Sequence, residues 1–183
     1  MRFSTKSWIA LSAFFLAFVF VVPSHAQLNS NNATVKLNAI LNESLTVAAG
    51  PATVNFTPLA PNGPTAGDNP VSITTTWALV KTRGSVKLYA YFAGANALTD
   101  GAGDNIPVAN VSGSVNGVAA VPFTTAAPFG GTGVLVFSQT LSGAGAWNSS
   151  HGPDTVAMTI NTTGLNLPAA TYTGTLNVQA QAL

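Results

Sequence analysis

Six consecutive residues, Ser149-Ser150-His151-Gly152-Pro153-Asp154, bring together the hydroxyl, imidazole and carboxylate groups that acyl-transfer catalysis uses. In a working triad the base takes the nucleophile's proton while the carboxylate orients the imidazole, so the three groups converge from separate elements. Here they are contiguous, and no Gly-x-Ser-x-Gly elbow presents a serine. The fragment therefore reads as a solvated turn. A second run, Thr99-Asp100-Gly101-Ala102-Gly103-Asp104-Asn105, offers two carboxylates and an amide to a hard cation. Counted from Asp100, positions three, five and twelve are Ala102, Asp104 and Val111, which is not the ligand set of an EF-hand. This run reads as a glycine-rich turn. Glu43 is the single glutamate, and beyond residue 26 His151 is the single histidine. Paired-carboxylate and histidine-rich metal chemistry thus lack their residues, and the expectation is a protein with no catalytic activity and no cofactor.

Aromatic side chains offer more. Lys87, Tyr89 and Tyr91 alternate with Val86, Leu88, Ala90 and Phe92, so a strand here turns the two tyrosines away from the apolar face. Rings about 7 Å apart along a strand, each with an apolar body and a polar tip, can form a platform for a sugar or another protein. The plainer alternative is cross-strand packing on a partly covered outer sheet. Trp147 sits in a loop-like Gly-Ala-Asn-Ser context and is either a lid over the core or a third contact residue, whereas Trp77 shares parity with Ile73 and Leu79 and belongs to the core.

The elements that would position these groups are strands. Val35, Leu37, Ala39 and Leu41 fall on one parity against Thr34, Lys36 and Asn38, which is the pattern of a first strand. Leu45 and Val47 continue it, Gly50-Pro51 interrupts it, and Val54 with Phe56 resumes before a proline- and glycine-rich loop from Pro58 to Pro70. Val71 to Leu79 and Val86 to Phe92 flank the turn Lys81-Thr82-Arg83-Gly84 and read as a β-hairpin. Gly94 to Asn105 is a connection, with short extended pieces near Ile106 to Val115 and Val118 to Phe123. Val134 to Leu141 is a strand, Gly143 to Pro153 a loop, and Val156 to Ile160 and Thr171 to Ala182 are further strands. About eight strands without a helix beyond residue 26 predict an all-β fold, an immunoglobulin-like or pilin-like antiparallel β-sandwich.

Arg2 and Lys6 precede a largely apolar stretch from Trp8 to Val22, followed by Pro23 and the small-residue site Ser24-His25-Ala26. This is the pattern of a cleaved secretory signal over residues 1–26, leaving one domain over 27–183. The stretch is shorter than the roughly 20 residues a spanning helix needs, and no comparable run follows. Beyond residue 26 the charges are four basic against five acidic, a balance of minus one, which supplies no basic patch for nucleic acid. With no cysteine in the chain, neither disulfides nor a lipidated cysteine can occur. A small outer-membrane barrel would need lipid-facing apolar bands, whereas the outward parity here is mostly threonine, serine, asparagine and glutamine.

Leu165-Asn166-Leu167-Pro168-Ala169-Ala170-Thr171-Tyr172 leads into the last alternating stretch, placing Pro168 and Tyr172 at a sandwich corner where the tyrosine hydroxyl can bond nearby backbone. In Leu167, Pro168, Ala169, Thr171, Tyr172 and Gly174 the chain resembles the secreted pilin-like β-sandwich domains of the spore coat protein U type, with Ala170 where glycine is usual. The cysteine pair common in such subunits is absent, and the chain ends Gln179-Ala180-Gln181-Ala182-Leu183 without a penultimate tyrosine. The resemblance implies a subunit of the periplasm, cell surface or medium that polymerises by lending an N-terminal strand to its neighbour's open edge. Val35, Leu37, Ala39 and Leu41 are the candidate donor strand, unless they form the first strand of their own domain. The function expected is therefore a non-enzymatic structural or surface-interaction protein, partnered by copies of itself or another surface protein. The alternative is a small carbohydrate- or protein-binding module.

Overall fold

A computed structural model describes residues 32–183. The signal reading, residues 1–26, lies outside them. By contact the chain divides into Met1–Ala39 and Ile40–Leu183. In the first, the described residues 32–39 form no regular structure and are exposed. The second is all-β and sandwich-like, and its strands are β1 (Ser44–Gly50), β2 (Pro64–Ala66), β3 (Val71–Ala78), β4 (Ser85–Phe92), β5 (Asn96–Thr99), β6 (Asn105–Pro107), β7 (Val111–Val115), β8 (Val121–Pro122), β9 (Thr132–Thr140), β10 (Asn148–Asn161) and β11 (Asn177–Ala182). Helical structure among the described residues amounts to two 3₁₀ turns, Val108–Asn110 and Pro128–Gly130, and no helix there is long and apolar enough to cross a membrane.

One antiparallel sheet runs β1-β3-β10-β7-β8, with β2 also on β10; the other runs β11-β4-β9; β5 and β6 form a small ribbon. The alternation read from sequence is the alternation of burial: Val71, Ile73, Thr75 and Trp77 are buried along β3 while Ser72, Thr74 and Thr76 are exposed. Val86, Leu88, Ala90 and Phe92 face them from β4, and Val156, Met158 and Ile160 from β10 complete the shared core with Val111, Val134 and Phe123. Trp77, 1% exposed, also donates its indole N–H to the Ala146 carbonyl at 2.8 Å.

The structure corrects several expectations. First, β3 and β4 are not a hairpin: β3 pairs with β1 and β10, β4 with β11 and β9, so residues 79–84 cross from one sheet to the other. Period-two alternation reports which face is buried and says nothing of the partner. Second, Gly143 to Pro153 is not all loop, because β10 starts at Asn148 and runs through Gly152-Pro153, absorbing them where its register against β3 shifts between His151 and Asp154. A bulge tolerates the proline that a regular ladder would not. Third, Val35 to Leu41 is no strand: the first strand among the described residues begins at Ser44, and Val35, Leu37 and Leu41 are 82%, 90% and 79% exposed.

Replacing Trp77 with phenylalanine keeps most of the apolar area but leaves the Ala146 carbonyl unpaired. Trp77→Phe is expected to lower stability by about 1–3 kcal/mol, read as a reduced urea midpoint at unchanged slope.

Candidate functional site

The residue types that suggested catalysis are arranged structurally. Ser149 and Ser150 lie in β10, in register with Trp77 and Thr76. His151 stacks on Phe137 at 4.2 Å, and Phe137 in turn on Trp77 at 6.3 Å. The imidazole Nε2 faces Asp154 Oδ1 at 3.3 Å rather than a serine, and the Asn116 amide donates to the same oxygen at 2.8 Å. Asp154 is buried, and its Oδ2 has no partner among the described residues. The fragment is therefore not the solvated turn expected but a packed bulge with no serine aligned on the base. In the Asp100 turn a single carboxylate oxygen accepts the N–H groups of Ala102, Gly103 and Asp104, at 2.8–3.1 Å. Those bonds hold the Asp100 carboxyl below its ordinary value, the Ala102 bond foremost.

A cleft of about 780 Å³ lies where residues 51–57 and 170–176 run on beyond the sheet-edge strands β1 and β11. Its floor is core: Val71, Phe92, Val111, Met158 and Ile160. Ala49 of β1 and Val178 of β11 border it, and each of those strands is the last in its sheet. Two extended stretches that belong to neither sheet form the walls, residues 51–57 after β1 and 170–176 before β11. Pro51 has no N–H to continue the β1 ladder, so the chain leaves the sheet at that point. Val54 and Phe56 still alternate inward and stay half-buried, as do Leu176, Val178 and Ala180 on the opposite side. This cleft was not legible as a site from the sequence; its only signal was the apolar parity of Val54, Phe56, Leu176 and Val178.

Each wall is tied down from behind. Asp68 accepts the Asn55 backbone N–H on one carboxylate oxygen and the Asn55 side-chain amide on the other, both at 2.9 Å, while the Asp68 N–H donates to the Asn55 carbonyl. On the other wall Thr173 exchanges two backbone bonds with Thr99 at 2.9 Å. The Tyr172 hydroxyl donates to the Pro168 carbonyl at 3.1 Å, which fixes the corner four residues upstream. Partial burial first, then the charges of Asp104 and Asp100, hold the Tyr172 phenol above its ordinary value and keep it a donor. Gly174 permits the close approach, since a Cβ there would lie 1.9 Å from the Ala97 carbonyl oxygen. In an extended chain alternate residues aim their N–H and C=O to opposite sides. With Asn55 and Thr173 bonded outward, Val54, Phe56, Tyr172 and Gly174 are left without backbone hydrogen bonds among the described residues.

The tyrosines lie elsewhere, on the outer face of the β11-β4-β9 sheet. Tyr89 opposes Gln179 and Leu135, and Tyr91 opposes Asn177 and Gly133. Both are partly exposed, and a residue that sequence reasoning missed, Phe129, lies edge-on to Tyr89 at 5.9 Å and tilted against Tyr91 at 5.4 Å. Trp147 does not join them: it is half-buried, its indole donating to the Arg83 carbonyl at 2.9 Å and its own carbonyl accepting the Leu79 N–H.

Three carboxyls are held below their ordinary values: Asp68 by Asn55, Asp100 by its turn, and Glu43 by the Arg83 side chain and the Val80 N–H. Because the folded values are depressed, their contribution is fully present above the unfolded values and is lost as pH falls through the folded ones. The melting temperature is expected to hold above about pH 5 and to drop progressively below about pH 4. Asp68→Ala should flatten that drop and speed hydrogen exchange in residues 53–57; an unchanged profile with unchanged exchange would show that Asp68 does not hold the wall. In the comparisons with known proteins no family model, no curated protein and no solved structure matches this chain.

Proposed function

We propose that the chain is an exported, non-enzymatic structural subunit of the pilin-like kind, assembling by strand addition, with the cleft as acceptor and Ala33 to Leu41 of a second copy as donor. The observation that carries this reading is the pair of facing walls with unpaired backbone above an apolar floor. Such a gap is filled by an extended chain, whose main chain pairs with the wall it lies against while alternate side chains reach the floor. A stretch whose backbone groups are left unpaired in this way can serve as a template for another strand, as an open sheet edge does.

The proposed donor has the matching properties. Val35, Leu37, Ala39 and Leu41 share one parity, they are exposed, and the residues between them include Lys36 and Asn38, which would face outward. Nine residues of extended chain reach about 30 Å. The wall from Ala170 to Val178 is also nine residues long. No charged residue lines the walls or the floor, so the inward apolar side chains of an entering strand meet no unpaired charge, while Lys36 stays on the outward parity. Export through an N-terminal signal would deliver the subunit where such assemblies form.

Analytical ultracentrifugation and negative-stain microscopy test the reading. The chain is expected to form concentration-dependent oligomers or fibres, and the chain lacking residues 27–41 to remain a folded monomer that binds a synthetic 33–41 peptide saturably. Leu37→Asp should weaken assembly by at least about tenfold, because it would bury an unpaired carboxylate. Assembly that is unchanged by both the deletion and Leu37→Asp would overturn it.

A further inference from the structure

We propose that the outer face of the three-stranded sheet is a saccharide-binding platform, built on Tyr89, Tyr91 and Phe129 and suited to a neutral glycan. This surface is independent of the cleft: the tyrosines sit on the central strand β4 with their side chains on the face opposite Leu88 and Ala90, which are fully buried.

The first argument is strain. Phe129 holds φ at 52°, a left-handed conformation that a bulky residue seldom adopts, and yet the residue is 41% exposed. A backbone outlier usually persists because packing repays it or because function requires the placement. Burial repays little here, and what the conformation achieves is to set the ring against both tyrosines at 5.9 and 5.4 Å. The second argument is the ground beneath the rings. Gly133 is buried under Tyr91, where an added Cβ would lie 2.5 Å from the tyrosine Cβ and 2.3 Å from the Ala90 carbonyl oxygen, so β9 is stripped of side chain where Tyr91 lies over it. Three rings are thereby gathered into one half-exposed cluster.

The third argument selects the ligand. Around the rings stand Asn177, Gln179 and Gln181 of β11 and Ser138 of β9, with Lys87 as the one formal charge on the grid of paired residues. The Tyr91 hydroxyl donates to Gln179 Oε1 at 2.9 Å, which fixes the amide and leaves its N–H₂ to donate outward. A pyranose presents a face of C–H groups to an aromatic ring and a rim of hydroxyls to planar amides. That combination fits this surface, whereas an anionic polymer would require a cluster of cations.

Depletion of the purified chain by cellulose, chitin and cross-linked dextran, with heparin-agarose as the anionic control, tests the proposal. Retention on at least one neutral matrix and none on heparin is expected, with Tyr89→Ala and Phe129→Ala weakening retention by about tenfold and Lys87→Ala leaving it unchanged. Phe129→Gly separates function from folding: glycine suits the positive φ, so this variant should melt no lower than the parent while losing retention. Four outcomes overturn the proposal: no retention on any neutral matrix, retention indifferent to Tyr89→Ala and Phe129→Gly, retention on heparin that Lys87→Ala abolishes, or a Phe129→Gly variant whose sole change is a smaller sedimentation coefficient.

Discussion

The structure turns on unequal sheet widths: six strands on one side of the core face three on the other, and the walls at the open side leave the ladders before they can close the gap. Burying apolar surface contributes about 25 cal/mol per Å², so half-covered Val54, Phe56, Leu176 and Val178 represent stabilisation the fold has not realised. The same residues define where an added strand would contribute most. The compact core of Trp77, Leu88, Ile73, Val156 and Phe123 does not need that strand to pack, which lets the domain stand with its cleft open.

Keeping the walls extended and apart takes specific bonds, and the scarce charges supply several of them. Glu43 bonds Arg83 and the Val80 N–H at the end where the chain crosses between sheets. Asp68 holds Asn55, Asp100 folds the turn behind Thr99 and Thr173, and Asp154 anchors Asn116, whose side-chain Oδ1 accepts the Thr155 N–H. Four of the five acidic residues thus organise loops or a bulge. On the exposed pair Glu43–Arg83 the net gain is small because water screens it, and its role is geometric.

Much of this was legible in the residues, for a definite reason: a strand with one buried face must alternate, and β3 and β4 do so without interruption. Parity also put Tyr89 and Tyr91 outward and Trp77 inward. What alternation cannot encode is partner choice, and so the β3–β4 connection read as a hairpin although each strand's neighbours come from distant sequence. Gly152-Pro153 looked like a loop because a proline is costly in a regular ladder; the bulge in β10 removes that cost. The cleft and Phe129 were hidden for different reasons. A cleft arises from what two distant segments fail to cover, and the positive φ of Phe129 has no local signature beyond the flanking Pro128 and Gly130.

Val35 to Leu41 is the instructive case, because its pattern is strand-like and its structure is not. An alternating segment becomes a strand only when an edge with the right spacing is available to it, since a lone strand leaves every backbone group to water and gains no burial. Low charge sharpens the consequence: Lys36 is the single charged residue between Ala33 and Leu41, so little opposes pairing once such an edge is met. Under the proposed strand addition, a segment in that state and a domain with an unfilled gap would answer each other's requirement. If strand addition joins them, the energy left unrealised within each copy becomes the energy that links copies, and the domain's incompleteness is the property on which assembly depends.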